Sequence, residues 1–152
     1  MPRVAILTGS KSDLPVLEPC VQTLTELGID HELLVMSAHR SPARVQQFAA
    51  TAADSGFEVI IAAAGMAAHL PGAVAAWTPL PVIGVPLGQP GATAVSGLDA
   101  LLSIAQMPPG VPVGCMAVNG ARNAALFAAA ILALKYPAVR QALERFRKEQ
   151  SA

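Results

Sequence analysis
The chain has 152 residues, of which 53% are hydrophobic and 13% charged, and its acidic and basic residues cancel to a formal net charge of zero. That length suits one domain, residues 1–152, while neutral charge with no lysine or arginine cluster outside the C-terminal tail argues against nucleic acid as a partner. An ordinary soluble domain is about 25% charged, so this chain has too few charges to cover a monomer's surface, and a homo-oligomer that buries apolar helix faces is expected.

In chain order, Val4 to Leu7 is a short continuous apolar run, as expected of a strand buried on both faces. Only Met1-Pro2-Arg3 precedes it, which is too little for a signal peptide, and it ends in Gly9-Ser10-Lys11-Ser12-Asp13. Leu14, Leu17, Val21, Leu24 and Leu27 then recur at helical spacing until Gly28 supplies a stop. A strand from His31 to Met36 leads into Ser37-Ala38-His39-Arg40-Ser41-Pro42, and Val45, Phe48, Ala49 and Ala52 mark a helix ending at Ser55-Gly56. A strand is expected over Phe57 to Ala64, followed by Gly65-Met66-Ala67-Ala68-His69-Leu70-Pro71-Gly72, a short helix over Ala73 to Trp77 and a strand over Pro81 to Val85. A glycine- and proline-rich loop, Pro86 to Gly91, precedes a helix over Leu98 to Gln106. A fifth strand over Val111 to Val118 and helices over Ala121 to Lys135 and Pro137 to Lys148 complete the pattern. The last helix, about residues 137–150, should pack on the domain or on a neighbouring subunit.

Strands alternating with helices at this rhythm predict right-handed crossovers and a parallel sheet. The expected fold is α/β, a three-layer αβα sandwich on a five-stranded parallel sheet in flavodoxin-like order 2-1-3-4-5. The longest apolar run, Ala124 to Leu134, falls short of the roughly 18 residues of a membrane span, so a soluble cytoplasmic protein is expected. Cys20 and Cys115 have no metal-site spacing and read as buried small hydrophobes of a reducing compartment.

Ligands of such sheets bind in the crevice beyond the carboxyl ends of the strands, and the polar loops fall there. Gly9-Ser10-Lys11-Ser12-Asp13 puts a glycine, two hydroxyls and an acid where a strand turns into a helix, a natural place for a phosphate. Ser12 or Asp13 as an ordinary helix cap explains the same residues equally well. His39 could move a proton near neutral pH and Arg40 could clamp a phosphate or carboxylate, although spacing alone favours a solvated histidine and a surface arginine. His69, between an alanine-rich strand end and Leu-Pro-Gly, reads more simply as a satisfied residue of a tight turn, and His31 as incidental. No His-x-His or His-x3-His pair points to a metal, and no Gly-x-Ser-x-Gly elbow points to a serine triad. Acid/base chemistry on a phosphorylated small molecule remains.

Taken together, Gly9-Ser10-Lys11-Ser12-Asp13, Ser37-Ala38-His39-Arg40-Ser41-Pro42, Ala67-Ala68-His69-Leu70-Pro71-Gly72, Ser96-Gly97-Leu98-Asp99 and Gln106-Met107-Pro108 resemble, in order and spacing, the N5-carboxyaminoimidazole ribonucleotide mutases of purine biosynthesis. The resemblance spans almost the whole chain. It implies a homo-octamer that isomerises N5-carboxyaminoimidazole ribonucleotide to 4-carboxy-5-aminoimidazole ribonucleotide without metal or organic cofactor, with transient contact to the carboxylating synthetase. It also implies that Ser10, Asp13 and Arg40 hold the ribose 5-phosphate part, with Gly9, Ser12, Ser37 and Ala38 completing the binding loops. His39 would be the general acid/base, and His69 with the backbone of Gly65, Ala67, Ala68 and Leu70 would line the base and carboxylate pocket.

Three stretches depart from the family pattern. Ala63-Ala64-Gly65-Met66-Ala67-Ala68-His69 stands where the family usually has Gly-Ala-Gly-Gly-Ala-Ala-His, Leu87 to Val95 is longer than the usual turn, and Asn119-Gly120-Ala121 shortens a familiar glycine-alanine stretch. The alternatives are direct carboxylation of 5-aminoimidazole ribonucleotide by CO2 and a related carboxylase on another nucleotide, such as nicotinate dinucleotide. From other classes, a phospho-receiver module lacks an acid after the third strand, and a purely structural assembly would bind no ribonucleotide.

Overall fold
The computed structural model describes residues 1–89 and 96–152. Its centre is a five-stranded parallel sheet in the order β2-β1-β3-β4-β5, formed by β1 (Arg3–Thr8), β2 (Asp30–Val35), β3 (Val59–Gly65), β4 (Val82–Leu87) and β5 (Gly114–Cys115). Among the described residues six helices connect and cover it: α1 (Leu14–Glu26), α2 (Pro42–Thr51), α3 (Leu70–Ala75), α4 (Leu98–Ala105), α5 (Ala121–Leu132) and α6 (Pro137–Gln150). A single 3-10 turn, Lys11–Asp13, leads into α1.

The apolar runs of the sequence are continuous because successive residues of one strand feed two cores. Val4, Ile6, Val59, Ile61, Ile83 and Val85 pack against α1, α5 and α6, and Ala5, Leu7, Ile60, Ala62 and Val82 pack against α2 and α3. A third, smaller cluster seats Ala100 and Ile104 of α4 beside Ala68. The alanine face of α5 (Ala121, Ala124, Ala125, Ala128) lets that helix lie close to the sheet and to α1. α6 packs on α5 through buried Val139 and Ala142, and its last turn carries Arg147 and Lys148, favourable charges for a helix C-terminus.

β4 runs on through Pro86 and Leu87, expected in the following loop, and α5 ends at Leu132 rather than Lys135; two elements differ more. α3 begins at Leu70 rather than Ala73, because Pro71 falls in the first helical turn, where its missing N–H costs nothing. β5 shrinks from the expected Val111 to Val118 to two residues, Gly114 and Cys115. Pro112 has no N–H for the ladder, and beyond Cys115 only isolated bonds continue the pairing, from Met116 N to Gly84 O and from Asn119 N to Pro86 O. Of the long loop expected over Leu87 to Val95, the part from Pro90 onward lies outside the described residues. No helix among the described residues is long and apolar enough to cross a membrane.

Candidate active site
The parallel order places the ends of β1, β2 and β3 side by side, and the loops leaving them enclose a crevice of about 560 Å³. From the first loop come Gly9, Ser10, Ser12 and Asp13, from the second Ser37, Ala38, His39 and Arg40, and from the third Gly65, Ala67, His69 and Leu70. Ala64 and Met66 complete the lining. Ala68 does not join it: its side chain is buried against Ala100 and Ile104.

The first loop folds on itself. Ser10 caps the 3-10 turn, its Oγ accepting from Ser12 N at 3.3 Å and lying 2.8 Å from Ser12 Oγ. Asp13 stands at the N-cap position of α1 without bonding to the helix; its Oδ2 instead accepts from Thr8 Oγ1 at 2.6 Å. Sequence patterning gave no sign of Thr8, although a hydroxyl closing an apolar run five residues before an acid is the one available cue.

The second loop is held by serines. Ser37 Oγ accepts from Arg40 N at 3.1 Å, and Ser41 Oγ donates to Ser37 O at 3.1 Å. Arg40 then reaches across to the first loop, where its Nη2 donates to Gly9 O at 3.1 Å. Among the described residues Arg40 forms no ion pair, so its charge stays available beside the start of α1. A guanidinium next to hydroxyls and a helix start is an anion site, suited to a phosphate.

At the other end of the crevice, His39 Nε2 lies 2.6 Å from His69 Nδ1, with the rings edge to face at 82°. A nitrogen–nitrogen hydrogen bond needs a proton on one ring nitrogen and a lone pair on the other. The two rings are thus placed so that a proton could pass from one to the other. The turn reading of His69 is thus incomplete: the residue does cap α3, accepting from Ala73 N at 2.9 Å through its carbonyl, while its ring faces His39.

The remaining candidates lie elsewhere. His31 enters β2 at the opposite edge, with Nδ1 2.9 Å from Ile29 O. Cys20 is buried as expected, and burial pushes its thiol up to about 12, which suits packing; Cys115, expected to be buried, is only half-buried at the edge strand β5, and partial burial raises its thiol less. A hollow of comparable size, about 550 Å³, between α5 and α6 offers Arg147 and Asn123 but no histidine or carboxylate. Among the described residues, no group of three or more His, Cys, Asp or Glu could hold a metal ion.

The family described as AIR carboxylase matches residues 3–152. The chain belongs to the AIR carboxylase family. The N5-carboxyaminoimidazole ribonucleotide mutase of Pyrococcus abyssi (strain GE5 / Orsay) is 51% identical over 149 residues, covering 98% of this chain and 84% of the relative. The mutase of the same name from Thermotoga maritima is 51% identical over 148 residues, covering 97% of this chain and 85% of the relative. Among solved structures, the crystal structure of Treponema denticola PurE superposes with a TM-score of 0.85 at 25% identity, over 99% of this chain and 92% of that one.

Proposed function
We propose that this chain is a single-domain N5-carboxyaminoimidazole ribonucleotide mutase of purine biosynthesis, converting its substrate to 4-carboxy-5-aminoimidazole ribonucleotide. The observation that carries the reading is the hydrogen-bonded pair His39 and His69 at one end of a crevice whose other end offers Arg40 and the Ser10 to Asp13 loop. Ser10, Ser12 and Arg40 hold the 5-phosphate, Asp13 the ribose, and the backbone of Gly65, Ala67 and Leu70 the base and carboxylate. Remote phosphate binding supplies energy that fixes the reacting end.

In the first half of the reaction the nitrogen–carboxyl bond breaks, its electron pair stays on nitrogen, CO2 departs and His39 donates a proton to that nitrogen. In the second half the ring carbon attacks the retained CO2, and His39 removes the proton from the new carbon centre. One proton is given and one taken, so the histidine ends as it began. His69, bonded to the ring of His39, holds it in register and shares the proton. Ala64, Met66 and Ala67 add an apolar strip to the lining at the reacting end.

The exposed side chains of Trp77, Leu102, Phe127 and Leu134 support assembly, which the proposal takes as a homo-octamer. It places the enzyme in the cytoplasm, working without metal or organic cofactor, with transient contact to the synthetase that makes the labile carbamate. The test is a paired assay. One arm supplies fresh N5-carboxyaminoimidazole ribonucleotide with little bicarbonate, the other 5-aminoimidazole ribonucleotide with abundant CO2. Fast turnover in the first arm alone, reduced at least about 100-fold in His39→Asn, is expected. Efficient turnover in the second arm would make the protein a direct carboxylase, and silence in both would overturn the proposal.

A further inference from the structure
We infer that Thr8 is a positioning residue, whose hydroxyl fixes the carboxylate of Asp13 so that it can accept hydrogen bonds from the sugar hydroxyls of a ribonucleotide. The inference rests on the ribonucleotide reading of the crevice and extends it beneath the surface.

Two polar side chains are buried among the described residues, Thr8 and Thr23. Thr23 satisfies itself locally, donating to Pro19 O one turn back in its own helix, as threonines in helices commonly do. Thr8 behaves differently. Its backbone is already committed to the sheet, paired with Val35 on one side and Ala63 on the other, and its carbonyl accepts from Met36 N at 2.8 Å. The hydroxyl is sent out of the strand, across the glycine turn, to Asp13 Oδ2 at 2.6 Å.

Asp13 in turn forgoes the ordinary work of an acid at a helix start, since it makes no side-chain cap bond to α1. It forms no ion pair among the described residues and lines the crevice. One carboxylate oxygen is thus tied inward to a fully buried donor, and the other is left for a ligand. An ionised carboxylate accepts hydrogen bonds and donates none, so beside an anion site it is repelled by phosphate and suited to hydroxyl groups. The adjoining ribose offers those groups. A β-branched side chain on a strand with neighbours on both sides has little rotamer freedom, which makes Thr8 a rigid support for an otherwise swivelling carboxylate.

Thr8→Val keeps the shape and the β-branch and removes the donor. With N5-carboxyaminoimidazole ribonucleotide as substrate, KM is expected to rise about tenfold while kcat falls less than about threefold, the size of one lost charge-assisted hydrogen bond acting on binding. Thr8→Ser, which restores the hydroxyl, is expected to bring KM back to within about threefold of wild type. In an Asp13→Ala background, Thr8→Val is expected to add nothing further, because the partner is already gone. If Thr8→Val does not fold by circular dichroism, Thr8→Cys, close in volume and a weak donor, takes its place with the same expected rise in KM. A wild-type KM in the donor-deficient variant, or an equal loss in the Asp13→Ala background, would overturn the inference while leaving the mutase reading intact. A wild type silent in both arms of the paired assay would overturn the two together.

Discussion
Gly84→Ala adds one methyl group in the middle of β4, and the structure leaves no room for it. The new Cβ would fall 2.3 Å from Ile104 Cγ2 and 3.1 Å from Val113 Cγ1, against about 3.5–4.0 Å for an ordinary carbon contact. Gly84 is held by β3 on one side and β5 on the other, so the strand cannot retreat. Relief must come from α4, where Ile104 is fully buried. Overpacking of this kind costs about 1–3 kcal/mol, and an overlap of more than an ångström against a β-branched side chain belongs at the top of that range. At roughly 2–4 °C per kcal/mol for a domain of this size, the melting temperature should fall by about 6–12 °C. Pro71 Cβ would lie 3.5 Å from the added methyl, an ordinary contact, so α3 and His69 stay in place and turnover at 25 °C should be largely retained. Thermal melts followed by circular dichroism, alongside the mutase assay, measure both quantities. Because leucine has no Cγ2, Gly84→Ala combined with Ile104→Leu should recover more than half of the loss. A single variant melting within 2 °C of wild type would refute the packing on which this reasoning depends.

Met66 has φ +53, a conformation that costs a side-chain-bearing residue about 1–2 kcal/mol, whereas glycine gives up about 0.5–1 kcal/mol of chain entropy there. Met66→Gly should therefore raise the melting temperature by up to about 6 °C, and a fall in a thermal melt would contradict the strain. Glu58 predicts a pH effect. Burial pushes its pKa up, but hydrogen bonds from Lys135 and from Tyr136, together with the Lys135 charge, outweigh burial and hold the carboxyl below the usual glutamate range. A lowered folded pKa contributes stability that is present above the unfolded value, about 4.3, and is lost as pH falls through the folded value. Glu58→Gln should thus be less stable than wild type at pH 7 and converge on it as pH falls through the folded value, as urea titrations at several pH values would record. A gap that stays constant across that range would remove Glu58 from the acid response.

Much of this architecture was legible because burial on both faces leaves a signature. Phe57 to Ala64 carries no polar residue after Glu58, and β3 indeed lies at the centre of the sheet with helices above and below. β5 is shorter than its apolar run suggests: Val111 to Val118 is as apolar as a strand, and only Pro112 and the edge position show why most of it does not pair. The polar loops were legible for a topological reason, since each follows a strand whose carboxyl end must face the crevice. What no spacing rule could supply was the meeting of His39 with His69 across 30 residues. Likewise, nothing in the local pattern distinguishes a threonine that supports a carboxylate from one that merely ends a strand.

The loops that follow β3 and β5 share a backbone solution but not the means of reaching it. Met66 and Asn119 are the two non-glycine residues with positive φ among those described, at +53 and +57. Asparagine tolerates that region, and Asn119 adds its own support: Oδ1 accepts from Gly88 N at 3.0 Å and Nδ2 donates to Gly88 O at 3.2 Å, which ties the end of β4 to the start of α5. Met66 makes no such bond and leaves a largely exposed thioether at the lip of the crevice. Its conformation is imposed from both flanks, by Gly65, where a Cβ would come within 3.3 Å of Leu87 O, and by the tight turn in which His69 N donates to Ala67 O at 2.9 Å. That turn delivers the His69 ring to His39. The strain at Met66 is therefore stored next to the paired histidines, where the surrounding structure, rather than the residue itself, dictates the path of the chain.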